Sequence, residues 1–139
     1  MQTWLVFSLL SAVFAALTTI FAKIGMKGVD SNLATFIRVL FIVPFAFALV
    51  AIQGTLKGVN KFSTTTWVFL FLSALATGLS WLFYFKALQM GEVHKVVPID
   101  KLSFVLSIIL GVVLFHESIT PAGVVGIVLM VCGMLFLLQ

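Results

Sequence analysis

From residue 3 to residue 22 the chain runs without a single Asp, Glu, Lys or Arg. A helix that crosses a bilayer needs about 20 mostly apolar residues, so this stretch alone suffices for one crossing. Comparable stretches follow over about 32–52, 66–89, 93–115 and 121–138. The breaks between them are brief and polar: Lys23, Gly25, Lys27 and Gly28 after the first, 54–65 after the second, Gly91 after the third, and His116-Glu117-Ser118 after the fourth. The whole chain is 63% hydrophobic and only 9% charged, with a mean hydropathy of +1.29. An average soluble domain carries roughly 25% charged residues, and this chain has too few to cover a small fold with a polar shell. Lipid removes that requirement. The expectation is an all-α membrane protein with five transmembrane helices in one domain, whose solvent partner is the bilayer and whose place is multi-pass in the cell (plasma/inner) membrane. A β-barrel would need segments of alternating polarity about ten residues long, and Leu40-Phe41-Ile42-Val43 and Val68-Phe69-Leu70-Phe71-Leu72 do not alternate.

Local signals mark the helix ends. Asp30-Ser31-Asn32 is a plausible N-cap cluster for the second helix. Thr120 is placed to cap the fifth, with Pro121 in its first turn, where the missing N–H costs little. The fourth helix carries Lys95, Pro98, Asp100 and Lys101, and a proline inside a helix removes a backbone bond and clashes with the carbonyl one turn earlier. A bend or break near Pro98 is therefore expected, of a kind tolerated at membrane depth where the chain lines a cavity. The segment after Met1 lacks the positive n-region of a cleaved secretory signal, so it is read as a retained helix. Cys132 stands alone in an apolar run and reads as a packing residue.

The basic residues are scattered singly rather than gathered in a stripe, which argues against nucleic acid as a partner. Their distribution also says little about orientation. With five crossings, Lys57 and Lys61 fall on one side and Lys23, Lys27 and Lys95 on the other, a slight bias. One reading puts the side with Lys23, Lys27 and Lys95 in the cytoplasm. The other is dual insertion, with both orientations present.

Ionisable side chains at membrane depth are costly and mark candidate sites. Arg38 lies about two turns into the second helix, roughly 9 Å by rise per residue, and shares a face with Ser31 and Thr35. It either serves a site or snorkels back to the interface. In the third helix Ser73, Thr77, Ser80, Trp81 and Tyr84 form a stripe that suits helix packing, interfacial anchoring or a cavity wall. In the fourth, Asp100, Ser103, Ser107 and Gly111 form another. Asp100 suits either proton transfer or an ion pair with Lys101, Lys95 or Arg38; on a continuous helix its neighbour Lys101 would point about 100° away. Glu117 sits in the turn before the fifth helix, whose Gly123, Gly126, Met130 and Gly133 stripe suits close packing. His94 and His116 are isolated, and no zinc cluster, phosphate loop or nucleophile elbow occurs. No enzyme activity, metal or cofactor is expected.

The run Lys95-Val96-Val97-Pro98-Ile99-Asp100-Lys101-Leu102-Ser103, the apolar stretch ending Leu114-Phe115-His116-Glu117-Ser118-Ile119-Thr120, and the glycine-bearing last helix resemble the EamA domain of the drug/metabolite transporter superfamily. The usual turn of that family resembles Gly-Glu-Arg-hydrophobic-Thr; here His116 stands at the glycine position and Ser118 at the basic one, while Glu117 and Thr120 are kept. Typical members carry two five-helix halves inserted in opposite directions, and this chain resembles one half, as in the small bacterial and archaeal group. Inverted repeats commonly enclose a substrate site at their interface near the midplane. The resemblance thus implies a secondary transporter or exporter of a small metabolite, working by alternating access as a homodimer, antiparallel if insertion is dual. Arg38, Trp81, Tyr84, Lys95, Pro98, Asp100, Lys101, Ser103 and Glu117 are the expected pathway residues, with helices three and four lining the cavity. Cations outnumber acids at depth, which favours an anionic or zwitterionic substrate. The alternative is a non-transporting membrane subunit that assists a lipid flippase or a partner complex.

Overall fold

A computed structural model describes residues 2–139. Among the described residues the secondary structure is entirely helical. Helices α1 (Thr3–Gly25), α2 (Ser31–Ile52) and α3 (Thr64–Met90) are followed by α4 (Val93–Asp100), α5 (Leu102–Phe115) and α6 (Pro121–Phe136), and a 3-10 helix, Thr55–Lys61, lies in the linker between α2 and α3. Four helical segments are long and apolar enough to cross a membrane: Thr3–Gly25, Ser31–Ile52, Thr64–Met90 and Val93–Phe115, the last comprising α4 and α5. The expected fifth crossing is an apolar helix of 16 residues that stops at Phe136 rather than 138. Its length of roughly 24 Å by rise per residue falls short of a hydrocarbon core of about 30 Å.

The helix ends follow from local chemistry. The Asp30 carboxylate accepts from the N–H groups of Asn32 and Leu33, both at 2.9 Å, and so satisfies two of the free amides that open α2. Thr120 does the same for α6, accepting from the Gly123 N–H at 3.1 Å ahead of Pro121 in the first turn. α1 ends in a turn in which Met26 N–H reaches Ala22 O and Gly28 takes φ +77°, a conformation in which glycine meets no Cβ penalty.

The expected interruption of the fourth helix is present but displaced. The helix passes through Pro98 and ends at Asp100; Lys101 forms a turn before α5 begins at Leu102. Pro98 has no N–H to give the carbonyl one turn back, and beyond it Phe104 N–H bonds Lys101 O, three residues away rather than four. Of the partners expected for Asp100, the structure supplies Lys101. On a continuous helix the two side chains would leave about 100° apart, and at the break they meet at 3.3 Å.

α5 ends on His116 at φ 54°, ψ 34°, the one non-glycine residue with positive φ among the described residues. This is the position at which the resembled turn carries glycine, and the backbone gives the reason. A left-handed conformation brings a Cβ against the following carbonyl at a cost of about 1–2 kcal/mol, which glycine avoids. His116→Gly is therefore expected to raise the thermal midpoint of the detergent-solubilised protein by relieving about 1 kcal/mol of strain, less what the freer unfolded chain takes back. An unchanged or lower midpoint would show that the turn is held by something other than local backbone preference.

Two compact units divide the chain, one ending at Gln89 and one running Met90–Gln139. In the first, burial is confined to one end. Thr19, Ala22 and Met26 of α1 and its following turn, Ser31 and Thr35 at the start of α2, and Phe85 and Leu88 near the end of α3 are buried. Away from that end, residues 3–17 of α1, 39–49 of α2 and 67–77 of α3 are exposed. In the second unit Gly111 of α5 is the buried residue among those described.

Candidate functional site

Three helical stripes converge at the buried end of the first unit. Ser31, Thr35 and Arg38 share one face of α2, and Trp81, Tyr84, Phe85 and Leu88 share one face of α3, at spacings of three and four. α1 contributes Thr19 and Lys23. The Thr35 hydroxyl donates to Ser31 O at 2.7 Å within its own helix. The Thr19 hydroxyl lies 3.1 Å from Ala15 O and 2.7 Å from the Tyr84 hydroxyl. Thr19 has one proton to give; donating it to Ala15 O leaves its oxygen to accept from Tyr84. This bond joins positions 65 residues apart and ties α1 to α3.

Two further links fasten the turn after α1 to the end of α3. The Lys23 ammonium donates to Leu88 O at 2.6 Å, and the Gln89 amide donates to Met26 O at 3.1 Å and Val29 O at 2.6 Å. The carbonyls at the end of a helix and in its following turn lack intrahelical donors, and Lys23 and Gln89 supply them from across the unit.

Arg38 occupies the centre of this end. Its guanidinium carbon stands 4.1 Å from the centroid of the Phe85 ring and 5.9 Å from that of Trp81, both within cation–π range. Phe85 is 2% exposed and is held in turn by Trp81, 6.3 Å away, and by Tyr84, 5.3 Å away at an interplanar angle of 61°. The Arg38 Nε is buried without a hydrogen-bond partner, as is the Ser31 hydroxyl. Beside Arg38 a groove of about 520 Å³ opens between α1 and α2, with Thr18 and Arg38 as its polar members and Phe21, Ile37, Phe41 and other apolar side chains as walls.

Of the residues expected from sequence, the structure brings Arg38, Trp81 and Tyr84 into one cluster. The expectation put the cavity on helices three and four; the groove in the first unit lies between α1 and α2, and of the expected set Arg38 lines it. The remaining expected residues belong to the second unit. Lys95 stands 3.6 Å from Glu92, which also approaches His94 at 3.6 Å, and all three are exposed. Pro98 is half-buried within α4. Asp100 pairs with Lys101 at the helix break. Ser103 is exposed, and its carbonyl accepts the Ser107 hydroxyl at 2.8 Å. Glu117 turns back on α5: its N–H lies 3.5 Å from Gly111 O, and a Cβ at position 111 would come within 3.0 Å of its Oε2. The small residue at Gly111 is what lets this carboxylate lie against the helix.

Sequence reasoning did not single out Phe85, Thr19 or Gln89. Phe85 is one of fifteen phenylalanines, and its only local signal is its place four residues after Trp81 on the same face.

Residues 2–139 match the EamA-like transporter family. The chain belongs to that family. Its 139 residues fit the half-size form of that family, one repeat rather than two. It is 43% identical over 136 residues to a protein of Sinorhizobium sp. named as an uncharacterized transporter in the cobO 3' region, with 98% of this chain and 96% of that protein covered. No solved structure matches the sequence significantly. Family membership and the transporter-named relative support a membrane-transporter role over an enzymatic one, and together with the four long apolar helical segments they support a multi-pass membrane protein.

Proposed function

We propose that this EamA-like chain is a secondary transporter that moves a small metabolite by alternating access, working without nucleotide as an antiparallel homodimer in the cell's plasma (inner) membrane, with α6 as a fifth crossing. The observation that carries this reading is the one-ended burial of the first unit. Its three helices meet around Thr19, Thr35 and Phe85, whereas Phe14, Phe45 and Phe69 elsewhere on the same helices are each about two-thirds exposed. Such surface calls for lipid or for another protein chain. Residues 1–139 hold one repeat and no inverted partner among them, and repeats of opposite orientation are the arrangement that encloses a midplane site. The slight bias of basic residues between the two sides allows both insertions. The break at Asp100–Lys101 adds a discontinuous helix of the kind that lines transport pathways, and we include Asp100, Lys101, Lys95, Pro98, Ser103 and Glu117 in the pathway together with Arg38, Trp81 and Tyr84.

The test uses a Cys132→Ser background, because Cys132 is exposed. A single cysteine introduced at Asn60, in the linker between α2 and α3, is labelled with a membrane-impermeant maleimide in sealed inside-out and right-side-out vesicles. Labelling of comparable fractions from both sides is expected; labelling from one side alone removes the antiparallel dimer. Purified protein in liposomes is then assayed for flux of labelled organic acids, amino acids and amines. Specific flux from the protein alone is expected. Absence of flux together with a stoichiometric copurifying partner would replace the transporter with the subunit reading.

A further inference from the structure

We propose that Arg38 and the adjoining α1/α2 groove form a binding site for a small monocarboxylate with an apolar body. The inference rests on the transport reading and names the substrate class of its site.

The charge inventory is the first support. Up to Gln89 the sequence holds Lys23, Lys27, Arg38, Lys57, Lys61 and Lys86 but a single acid, Asp30. Asp30 is committed elsewhere, since its carboxylate caps the Asn32 and Leu33 amides at the start of α2. Within this unit the guanidinium of Arg38 therefore has no carboxylate of its own. Aromatic rings surround it instead, Phe85 at 4.1 Å and Trp81 at 5.9 Å. These faces stabilise a cation and fix its plane, but they accept none of its five N–H donors. The Nε is buried with no acceptor. A fixed planar fork of donors that lacks acceptors is complementary to a carboxylate, which it can meet with two parallel hydrogen bonds.

Position is the second support. Here the guanidinium lies across the helix pair, over Phe85, one turn before Gln89 reaches the carbonyls of the turn at Met26 and Val29. The aromatic contacts hold the half-buried side chain against α3 with its Nε shielded from water, and a counter-charge there is worth more than in open water.

Shape is the third. The groove beside Arg38 is about 520 Å³, within the size range of small-molecule sites, and its walls at Phe21, Ile37 and Phe41 are apolar. A ligand that fills it needs one anionic end and an apolar remainder. An ammonium ligand would be repelled by the guanidinium, and a neutral amide would gain none of the charge-assisted bonding. An acyl chain with an anionic headgroup has the same chemistry as an apolar carboxylate. We commit to the soluble carboxylate because the Arg38 Nε is buried and its guanidinium is held against the Phe85 ring inside the helix cluster.

The full chain, purified in neutral maltoside detergent, is melted in the presence of 3-phenylpropionate, 3-phenylpropionamide, phenethylammonium or phosphatidylglycerol. 3-Phenylpropionate is expected to raise the midpoint in a saturable manner. The amide and the ammonium should need at least about tenfold higher concentration for an equal shift, the scale of a charge-assisted bidentate contact. Arg38→Gln should abolish the carboxylate shift. Should that variant fail to fold, a Trp4→Phe/Trp67→Phe protein leaves Trp81 as the one tryptophan, and its emission should change with the carboxylate but not with the amide. Equal binding of amide or ammonium, full binding by Arg38→Gln, or a shift given by phosphatidylglycerol alone would each overturn the proposal. Carboxylate binding without carboxylate flux in liposomes would uphold the site and count against the transport reading. Flux of other solutes without carboxylate binding would do the reverse.

Discussion

Phe85→Ala is expected to lower thermal stability more than truncation of any other aromatic residue in the chain. Phe85 is 2% exposed, supports the Arg38 guanidinium at 4.1 Å, and packs against Trp81 and Tyr84. In a water-soluble core, Phe→Ala costs roughly 3–5 kcal/mol, part of it transfer of apolar area to water. In a bilayer or micelle most of that transfer term vanishes, because the surroundings are as apolar as the interior. Lost dispersion contacts remain, as does a charged guanidinium deprived of its closest ring. The expected loss is about 3 kcal/mol, the lower end of the soluble range. Phe83→Ala is the control, since Phe83 sits on the same helix but is 73% exposed, and its truncation should shift the midpoint little. Similar shifts for the two variants in detergent melts would mean that the Arg38–Phe85 cluster is not the packing centre of its unit.

Gln89→Leu is expected to release the turn between α1 and α2. The substitution keeps most of the side-chain volume and removes both donors, those to Met26 O at 3.1 Å and to Val29 O at 2.6 Å. Val29 is exposed and can recruit water, and the Met26 carbonyl keeps the Val29 N–H at 3.2 Å, so the loss is that of two hydrogen bonds, each worth about 0.5–1.5 kcal/mol net. The link from Lys23 to Leu88 O is untouched, so the helices should stay together while the turn loosens. Two readouts should therefore separate: a midpoint lower by the equivalent of about 2 kcal/mol, and faster amide hydrogen exchange in a peptide spanning 26–30 than in one within α2. Unchanged exchange across 26–30 would show that Gln89 does not hold the turn.

These two residues illustrate how reading from sequence succeeds and fails here. Arg38 was singled out because one charge in an apolar run is conspicuous, and Trp81 and Tyr84 because they are polar-tipped aromatics in another. Phe85, which brings them together, carries no such mark. Asp100 stands out for the same reason as Arg38, with Lys101, Lys95 and Arg38 as candidate partners; the structure pairs it with Lys101, at the break after Asp100. His116 gives the opposite case. Its departure from the glycine of the resembled turn was plain in sequence, and the left-handed backbone at φ 54° supplies the physical meaning.

The sequence by itself determined that lipid is the solvent, that the backbone is helical, and where most helices begin. Hydropathy over about 20 residues, the Asp30 and Thr120 caps and the proline at 121 act within a turn or two of where they stand. Tertiary structure alone decided which side chains meet. The Thr19–Tyr84, Lys23–Leu88 and Gln89–Met26 bonds join residues 63 to 65 positions apart, and no local periodicity encodes such pairings. In a chain where lipid satisfies every apolar face equally well, hydrophobicity cannot say which face turns inward; the choice falls to a few hydrogen bonds and ring contacts that exist only once the helices have come together.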